Sequence, residues 1–167
     1  IQSAPVIGRK MMDQKPKIRV LFVCLGNICR SPMAEAVFRQ LVVEAGLTER
    51  FEIGSAATSS WEAGKPPHPG TREILRQHGI ALDPAKRAVQ VRRADLAGVD
   101  YLVAMDYENM VDLRRLSNGG AHVYRLMEFA GEGYPADIPD PYYDGNFMYV
   151  YDLVEAGCKG LLEAISS

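Results

Sequence analysis

The sequence predicts a single α/β domain in which four parallel strands form one sheet with helices on both faces. Short apolar runs rich in β-branched residues alternate along the chain with longer stretches whose apolar residues recur at helical spacing. That alternation is typical of a parallel sheet covered by helices. The 167 residues suffice for one domain with a substantial core, and no internal repeat or second domain is evident.

Composition and charge exclude several classes of partner. The formal charge of −2 gives no overall attraction for nucleic acid or an anionic membrane, so any anion must be bound locally. No apolar run approaches the roughly 20 residues that cross a bilayer. The three cysteines do not form the framework of a secreted disulfide-rich protein. We therefore expect a cytoplasmic protein that acts on neither nucleic acid nor membranes.

The start of the chain differs in character from the remainder. Residues 1–16 mix charges and prolines without the apolar core of a secretory signal. We predict that they form a flexible N-terminal extension and that the domain spans residues 17–167.

The first strand and helix enclose a short loop. Residues 18–23 are an apolar run of strand length, and residues 32–46 place apolar side chains on one helical face. Ser31 followed by Pro32 predicts an N-cap with proline at the first helical position. A strand, a tight loop and a helix N-terminus direct several backbone N–H groups at one point. The sequence thus predicts a phosphate-binding loop directly after the first strand.

The rest of the chain predicts three further strands and several helical pieces. The strands are expected at 51–57, 99–105 and 121–126, with a short extended piece at 87–91. The helices are expected at 70–79, 108–116 and 148–165, with one helical turn at 94–97. Segments 58–69 and 131–146 are rich in turn-forming residues and are predicted to be loops. Ligands of such sheets bind beyond the carboxyl ends of the strands, where Cys24 is placed.

Cys24 and Arg30 give the loop its chemistry. A helix N-terminus and a neighbouring arginine both stabilise a thiolate, which is the nucleophilic form of cysteine. The planar guanidinium of Arg30 can bind two oxygens of one phosphate. The loop lacks the Gly-Lys-Ser/Thr ending of a nucleotide-binding loop that would hold Mg²⁺. These parts favour nucleophilic phosphoryl transfer without a metal or other cofactor.

The sequence also resembles a known family. The stretch VLFVCLGNICRSPMAE at 20–35 is similar, almost residue for residue, to the signature of the low-molecular-weight protein tyrosine phosphatases. Further matches are GSAATSSWEAG at 54–64, HGI at 78–80, AMD at 104–106 and DPYYDGN at 140–146. The resemblance extends over about residues 17–165 in the family's order. It implies hydrolysis of phosphotyrosine in proteins, and the segment after Trp61 is similar to bacterial members.

The resemblance implies a role for each matched residue. Cys24 becomes the nucleophile that forms a cysteinyl-phosphate, Arg30 the ligand of the phosphate, and Asp140 the general acid and base. The phosphate-binding loop comprises Cys24, Leu25, Gly26, Asn27, Ile28, Cys29 and Arg30. The supporting residues are Ser31, which stabilises the thiolate, Asn27 in a left-handed conformation, and Ser55 and His78, which hydrogen-bond to Asn27. The walls of the substrate pocket are Leu25, Trp61, Tyr142 and Tyr143.

Reasoning from the residues alone leaves three points open. Asp137, Asp140 and Asp144 all lie in the late loop, and only the resemblance selects Asp140 as the acid. Cys29 is either a redox partner that forms a reversible disulfide with Cys24, as the resemblance implies, or a packed small residue. Asp106 is either the cap of the following helix or the partner that orients Arg30.

Two other functions compete with the phosphatase. Thiol-dependent arsenate reductases resemble the same loop, but they need relay cysteines in mid-chain, and none lies between Cys29 and Cys158. A non-catalytic phosphotyrosine-binding module is expected to have lost the nucleophile, the arginine or the acid, and this chain has all three. The sequence therefore favours a tyrosine phosphatase that binds phosphate or a similar oxyanion and acts on tyrosine-phosphorylated proteins.

Overall fold

One parallel sheet of four strands forms the centre of the molecule. The computed structural model describes residues 16–167. Along the sheet the strand order is β2-β1-β3-β4. The strands are β1 (Ile18–Cys24), β2 (Phe51–Ala57), β3 (Tyr101–Ala104) and β4 (Val123–Arg125). The predicted fold class is confirmed, whereas the extension predicted over residues 1–16 lies, except for Pro16, outside the described residues.

Helices and helical turns connect the strands. The α-helices are α1 (Arg30–Glu44), α2 (Pro69–Gln77), α3 (Tyr107–Leu116), α4 (Pro141–Asp144) and α5 (Phe147–Ser166). Short 3₁₀ turns occupy Thr48–Arg50, Arg93–Leu96 and Leu126–Phe129. The sequence analysis missed α4 and the first and last of these turns. Each is only three or four residues long, too short for apolar periodicity to reveal.

The extended piece predicted at 87–91 joins the edge of the sheet at a single point. The N–H of Ala57 donates to the carbonyl of Val89 at 2.8 Å, and the N–H of Val91 donates back to Ala57 at 2.8 Å. This bridge brings the segment alongside the end of β2, beside the loop that follows β1.

The two faces of the sheet contact different helices. Val20, Phe22 and Cys24 alternate along β1 and belong to one apolar cluster, shared with α1, α2 and α5. Val23 belongs to a second cluster on the opposite face, which includes Leu113 of α3. The side chain of Cys24 therefore lies on the face that carries α1.

Helix α1 begins earlier than the sequence suggested. Its first residue is Arg30 and its N-cap is Cys29, so the prediction of Ser31 as the N-cap is wrong. Ser31 is fully buried, and its hydroxyl contacts the sulfur of Cys24 instead of capping the helix. The first turn of α1 therefore keeps its backbone N–H groups free of a side-chain cap.

The strand order places a crevice at the end of β1. The chain passes from β1 to β2 on one side and then crosses to β3 on the other, so the order reverses between β1 and β3. Cys24 ends β1, and Asp106 follows β3 at the same edge of the sheet. Within residues 16–167, no helix has the length and apolar character needed to span a bilayer.

Candidate active site

The loop after β1 curls so that its carbonyl groups point away from its centre. Four of its carbonyl oxygens accept hydrogen bonds from the segments that surround the loop. The donors and acceptors are Thr58 N to Cys24 O at 2.9 Å, Ser59 Oγ to Leu25 O at 2.8 Å, His68 N to Ile28 O at 2.8 Å and Thr71 Oγ1 to Cys29 O at 2.9 Å. Since these carbonyls are held outward, the loop can present its N–H groups to an anion.

Cys24 lies at the base of this loop with polar groups around its sulfur. The thiol is 2% exposed, and its Sγ lies 3.1 Å from the hydroxyl of Ser31. The backbone N–H of Asn27 donates to the same sulfur at 3.3 Å. Both groups can donate a hydrogen bond to the sulfur when it acts as a nucleophile.

A chain of side chains orients the Ser31 hydroxyl. Asn27 adopts a left-handed backbone conformation with φ of 56° and donates through Nδ2 to Ser31 Oγ at 2.8 Å. Its second Nδ2 proton reaches Ser55 Oγ at 2.9 Å. Because Ser31 accepts from Asn27, its own proton can point at the sulfur of Cys24 at 3.1 Å or at the carbonyl of Ala56 at 3.4 Å. Asn27 therefore contacts both Ser31 and Ser55 through its side-chain amide.

Glu35 anchors the far end of this chain, and the sequence analysis missed it. Ser55 donates to Glu35 Oε1 at 2.5 Å, and Lys86 Nζ lies 3.1 Å from the same oxygen. Arg39 pairs with the second carboxylate oxygen at 2.9 Å. One signal was available: Glu35 is an acid one turn from both Ser31 and Arg39 in the part of α1 that is otherwise buried. Lys86 gave no such signal.

His78 does not take part in this chain, so the prediction that it supports Asn27 is wrong. Its Nδ1 lies 2.9 Å from the carbonyl of Ile74, and its ring stacks on Tyr151 with centroids 3.9 Å apart. The side chain of Asn27 already has partners at both ends, since its Oδ1 accepts from the N–H of Val89 at 3.2 Å. His78 instead follows the last turn of α2 and packs against α5.

Arg30 is buried and held in place by two acceptors. Its Nη1 donates to Asp106 Oδ2 at 2.6 Å and to the carbonyl of Ile138 at 2.9 Å. Asp106 Oδ1 meanwhile accepts from Asn109 N at 2.8 Å, so Asp106 both orients the arginine and caps α3. The two roles that the sequence left open are therefore both present.

The other edge of the Arg30 guanidinium is available to a ligand. The Nε atom is buried and has no hydrogen-bond partner among the described residues. Burial alone would lower the pKa of Arg30, but the charges of Cys24, Asp106 and Asp140 raise it above its ordinary value. A permanently charged, fixed guanidinium with an unpaired N–H is suited to a tetrahedral oxyanion.

Only one of the three candidate acids lines the cavity above Cys24. Asp140 caps α4 by accepting from Tyr142 N at 3.0 Å, and its Oδ2 lies 3.6 Å from Arg30 Nη2. Asp137 instead accepts from the N–H of Tyr107 and pairs with Arg125, each at 3.1 Å. The structure thus separates the acids in a way that spacing did not.

The walls of the same cavity carry the aromatic side chains that the sequence singled out. Trp61 is 72% exposed and Tyr143 is 79% exposed, which is unusual for side chains of this size. They line the cavity together with Leu25 and Tyr142 and with Glu62, which the sequence analysis did not name. An aromatic ring that entered the cavity would lie between these walls and above the loop.

Cys29 is a buried neutral thiol at the N-cap of α1. Burial and the nearby charges of Asp140 and Cys24 raise its pKa to about 12. Both Cys24 and Cys29 are free in the structure. No group of three or more His, Cys, Asp or Glu side chains in residues 16–167 is placed to hold a metal ion.

Comparisons with known proteins agree on one family. The family model described as "Low molecular weight phosphotyrosine protein phosphatase" matches residues 19–167. The chain is 49% identical over 150 residues to the low molecular weight protein-tyrosine-phosphatase YfkJ of Bacillus subtilis, covering 89% of this chain and 96% of that protein. It is 40% identical over 149 residues to PtpA of Staphylococcus aureus, covering 89% and 94%.

Solved structures give the same result. The crystal structure of YfkJ from Bacillus subtilis superposes with a TM-score of 0.88 and 47% identity, covering 92% of this chain and 97% of that one. A structure described as a drosophila arginine phosphatase superposes with a TM-score of 0.83 and 30% identity, covering 90% and 99%.

Proposed function

This chain belongs to the low molecular weight protein-tyrosine-phosphatase family, and we propose that it hydrolyses phosphotyrosine in proteins through a phosphocysteine on Cys24. The observation that carries the assignment of residues is the cavity itself. It is lined by the thiol of Cys24, by the buried Arg30, whose Nε has no hydrogen-bond partner within residues 16–167, and by the carboxyl group of Asp140. Each of the three is needed for metal-free phosphoryl transfer.

In the first step the Cys24 thiolate attacks the phosphorus atom. A sulfur–phosphorus bond forms while the bond from phosphorus to the phenolic oxygen breaks. Arg30 and the N–H groups of the loop bind the three non-bridging oxygens as their charge develops. Asp140, in its protonated form, gives its proton to the departing phenolate, so tyrosine leaves neutral.

In the second step water releases the phosphate. The Asp140 carboxylate takes a proton from the water as its oxygen attacks phosphorus, and the sulfur–phosphorus bond breaks. The thiolate leaves with its charge stabilised by Ser31 and by the N–H of Asn27. Inorganic phosphate is the product, and Asp140 is again protonated for the next cycle.

Selectivity for phosphotyrosine follows from the height of the walls. Trp61, Tyr142 and Tyr143 stand above a loop whose thiol is almost fully buried. A phosphate on a phenol ring bridges that depth, whereas phosphoserine holds its phosphate too close to the peptide backbone. The ring also gains stacking contacts with the aromatic walls.

The mechanism fits a reducing compartment, and we place the protein in the cytoplasm on that ground. Attack requires Cys24 as a thiolate, and an oxidising environment would allow it to pair with Cys29 in the same loop. Of the two alternatives that the sequence left open for Cys29, we propose the reversible disulfide with Cys24, which would protect the nucleophile.

The decisive experiment compares phosphopeptides that differ only in the phosphorylated residue. We expect turnover of phosphotyrosine peptide to exceed that of phosphoserine and phosphoarginine peptides by more than about a hundredfold. The phosphoarginine arm is included because one similar structure is described as an arginine phosphatase. Cys24→Ser should abolish turnover and prevent trapping of ³²P on the protein.

Three outcomes would contradict the proposal. Preferred turnover of phosphoarginine would reassign the substrate class while keeping the nucleophile. Full activity of the Cys24→Ser variant, or thioredoxin-dependent reduction of arsenate at a comparable rate, would remove the phosphocysteine mechanism altogether.

A further inference from the structure

A second depression shares two wall residues with the catalytic cavity. Leu25 and Trp61 line both, so they form a ridge between the two. The far side of the second depression is the C-terminal half of α3, and its base is formed by Thr58 and the extended piece at 90–91. We call this depression the α3 groove.

The α3 groove has an apolar floor and a rim of mixed charge. Val91 and Leu113 are buried beneath it, and Leu116 is half-buried at its side. Asp112 and Arg115 stand at the rim with opposite charges. An apolar side chain would therefore find contacts on the floor, while the rim gives no net preference for a charged one.

Thr58 adds a polar group to the base of the α3 groove. Its Oγ1 is buried and has no hydrogen-bond partner within residues 16–167. A buried hydroxyl without a partner is costly, and a peptide C=O or N–H laid along the groove would supply the missing bond. The hydroxyl is one residue beyond the last residue of β2 and directly beside the catalytic loop, since Thr58 N donates to Cys24 O.

We propose that the α3 groove binds the substrate segment next to phosphotyrosine and selects an apolar side chain there. This inference rests on the proposed function, because the phosphotyrosine ring must occupy the neighbouring cavity. A substrate that leaves the cavity over the ridge of Leu25 and Trp61 enters the groove directly. Extended peptide advances roughly 3.3 Å per residue and points alternate side chains the same way, so the selected residue lies within two positions of phosphotyrosine on one side.

The test uses phosphotyrosine peptides that place Leu, Ala, Asp or Lys at each of the two positions on either side. At one position we expect the Leu peptide to exceed the Asp and Lys peptides by about tenfold in kcat/KM, the gain from burying roughly 50 Å² of apolar surface. The difference should lie in KM, because a contact made equally in ground and transition states leaves kcat unchanged. A flat profile across all four positions overturns the inference.

Variants of residues in the α3 groove then test whether this surface produces the preference for Leu. Leu116→Asp should reduce the preference for Leu to less than about twofold, while p-nitrophenyl phosphate is turned over at the wild-type rate. Val43→Asp is the matched control, since Val43 is 51% exposed near the far end of α1 and should keep the preference. Thr58→Val removes only the hydroxyl and should raise KM for every peptide by a similar factor.

The outcomes separate the two proposals. A preference for Leu that survives Leu116→Asp places the selecting surface elsewhere and overturns this inference. Should Leu116→Asp unfold, Arg115→Glu at the exposed rim replaces it and must change the relative KM of the Asp and Lys peptides. Failure to hydrolyse p-nitrophenyl phosphate in the wild-type protein would instead contradict the phosphatase itself.

Discussion

Buried Arg30 and half-buried Asp106 form an ion pair in which Nη1 and Oδ2 lie 2.6 Å apart. The second oxygen of the same carboxylate caps α3 through Asn109 N at 2.8 Å. One side chain thus connects the orientation of Arg30 to the start of a helix on the opposite face of the sheet.

Asp106→Asn isolates the first of these two roles. Asparagine keeps an oxygen that can cap α3, but it removes the negative charge from Arg30. We expect kcat/KM for an aryl phosphate to fall about 10- to 100-fold, the size of a lost partner for a buried charge, with little change in melting temperature. Asp106→Ala is the comparison and should also lose about 1 kcal/mol of stability because the cap is gone. Equal activity of Asp106→Asn and wild type would contradict the positioning role.

Asp140→Asn tests the general acid while preserving the cap of α4. Asparagine can still accept from Tyr142 N, so the loop should keep its conformation. Turnover of phenyl phosphate should fall by roughly 10² to 10⁴, since the phenolate must now leave without a proton. Turnover of a substrate whose leaving group is a very acidic phenol should fall much less. A loss that is independent of the leaving group would show that Asp140 has another role.

Asn27 allows hydrogen bonding to be separated from backbone strain. Gly and Ala substitutions both remove the bonds to Ser31 and Ser55, but only Ala must bear the left-handed conformation, at about 1–2 kcal/mol. We therefore expect both variants to lose activity, and Asn27→Ala to be less stable than Asn27→Gly in urea unfolding. Wild-type activity in Asn27→Gly would mean that the side chain does not orient Ser31.

Alkylation should distinguish the two cysteines of the loop. Burial and nearby negative charge raise the pKa of Cys29 to about 12, so at pH 7 it is a neutral thiol and a poor nucleophile. Iodoacetate at pH 7 should therefore modify Cys24 alone, with complete loss of activity, and inorganic phosphate should protect it. Peptide mapping that finds carboxymethyl groups equally on Cys29 would contradict this assignment.

Stability at alkaline pH should depend on Cys158. Complete burial raises the pKa of this thiol above its ordinary value of 9.0, so the unfolded chain loses its proton before the folded chain does. The stabilisation is present below pH 9 and declines as the pH rises, by about 1.4 kcal/mol per pH unit for each such group. Cys158→Ala should be less stable than wild type at pH 7.5, and the difference should narrow by pH 10. Cys29 and Tyr151 each have a pKa raised to about 12. They should therefore cause part of the loss of stability at high pH in both wild type and Cys158→Ala.

Local sequence pattern predicted the sheet and the loop that carries Cys24 and Arg30, whereas only the family resemblance selected Asp140 among the three acids of the late loop. Cys24 and Arg30 were predictable because they lie within seven residues of one another at a strand end. The start of α1 could not be predicted correctly, because Ser31 followed by Pro32 matches the usual N-cap pattern. In the fold the hydroxyl contacts the sulfur of Cys24 and the amide of Asn27, and Ser31 lies inside the helix.

Residues that meet only through packing were beyond reach of the sequence. Lys86 joins Glu35 from a segment 51 positions away in the sequence, with no local pattern of its own. His78 showed the opposite failure, since a short match to HGI suggested a role that its place at the end of α2 does not allow. The positions of Lys86 and His78 both depend on how α2 and the segment after it pack, which no single stretch of sequence encodes.

The position of Arg30 as the first residue of α1 has an evolutionary consequence. The next eight residues of the helix are buried, so the arginine is placed by the packing of the core and not by the loop alone. A core substitution that shifts α1 by a fraction of an ångström moves Arg30, the proposed ligand of the phosphate, by the same amount, and catalysis is sensitive to displacements of that size. Variants of this helix should therefore lose turnover while they still fold. Natural selection for activity then permits fewer side-chain combinations inside α1 than selection for stability would.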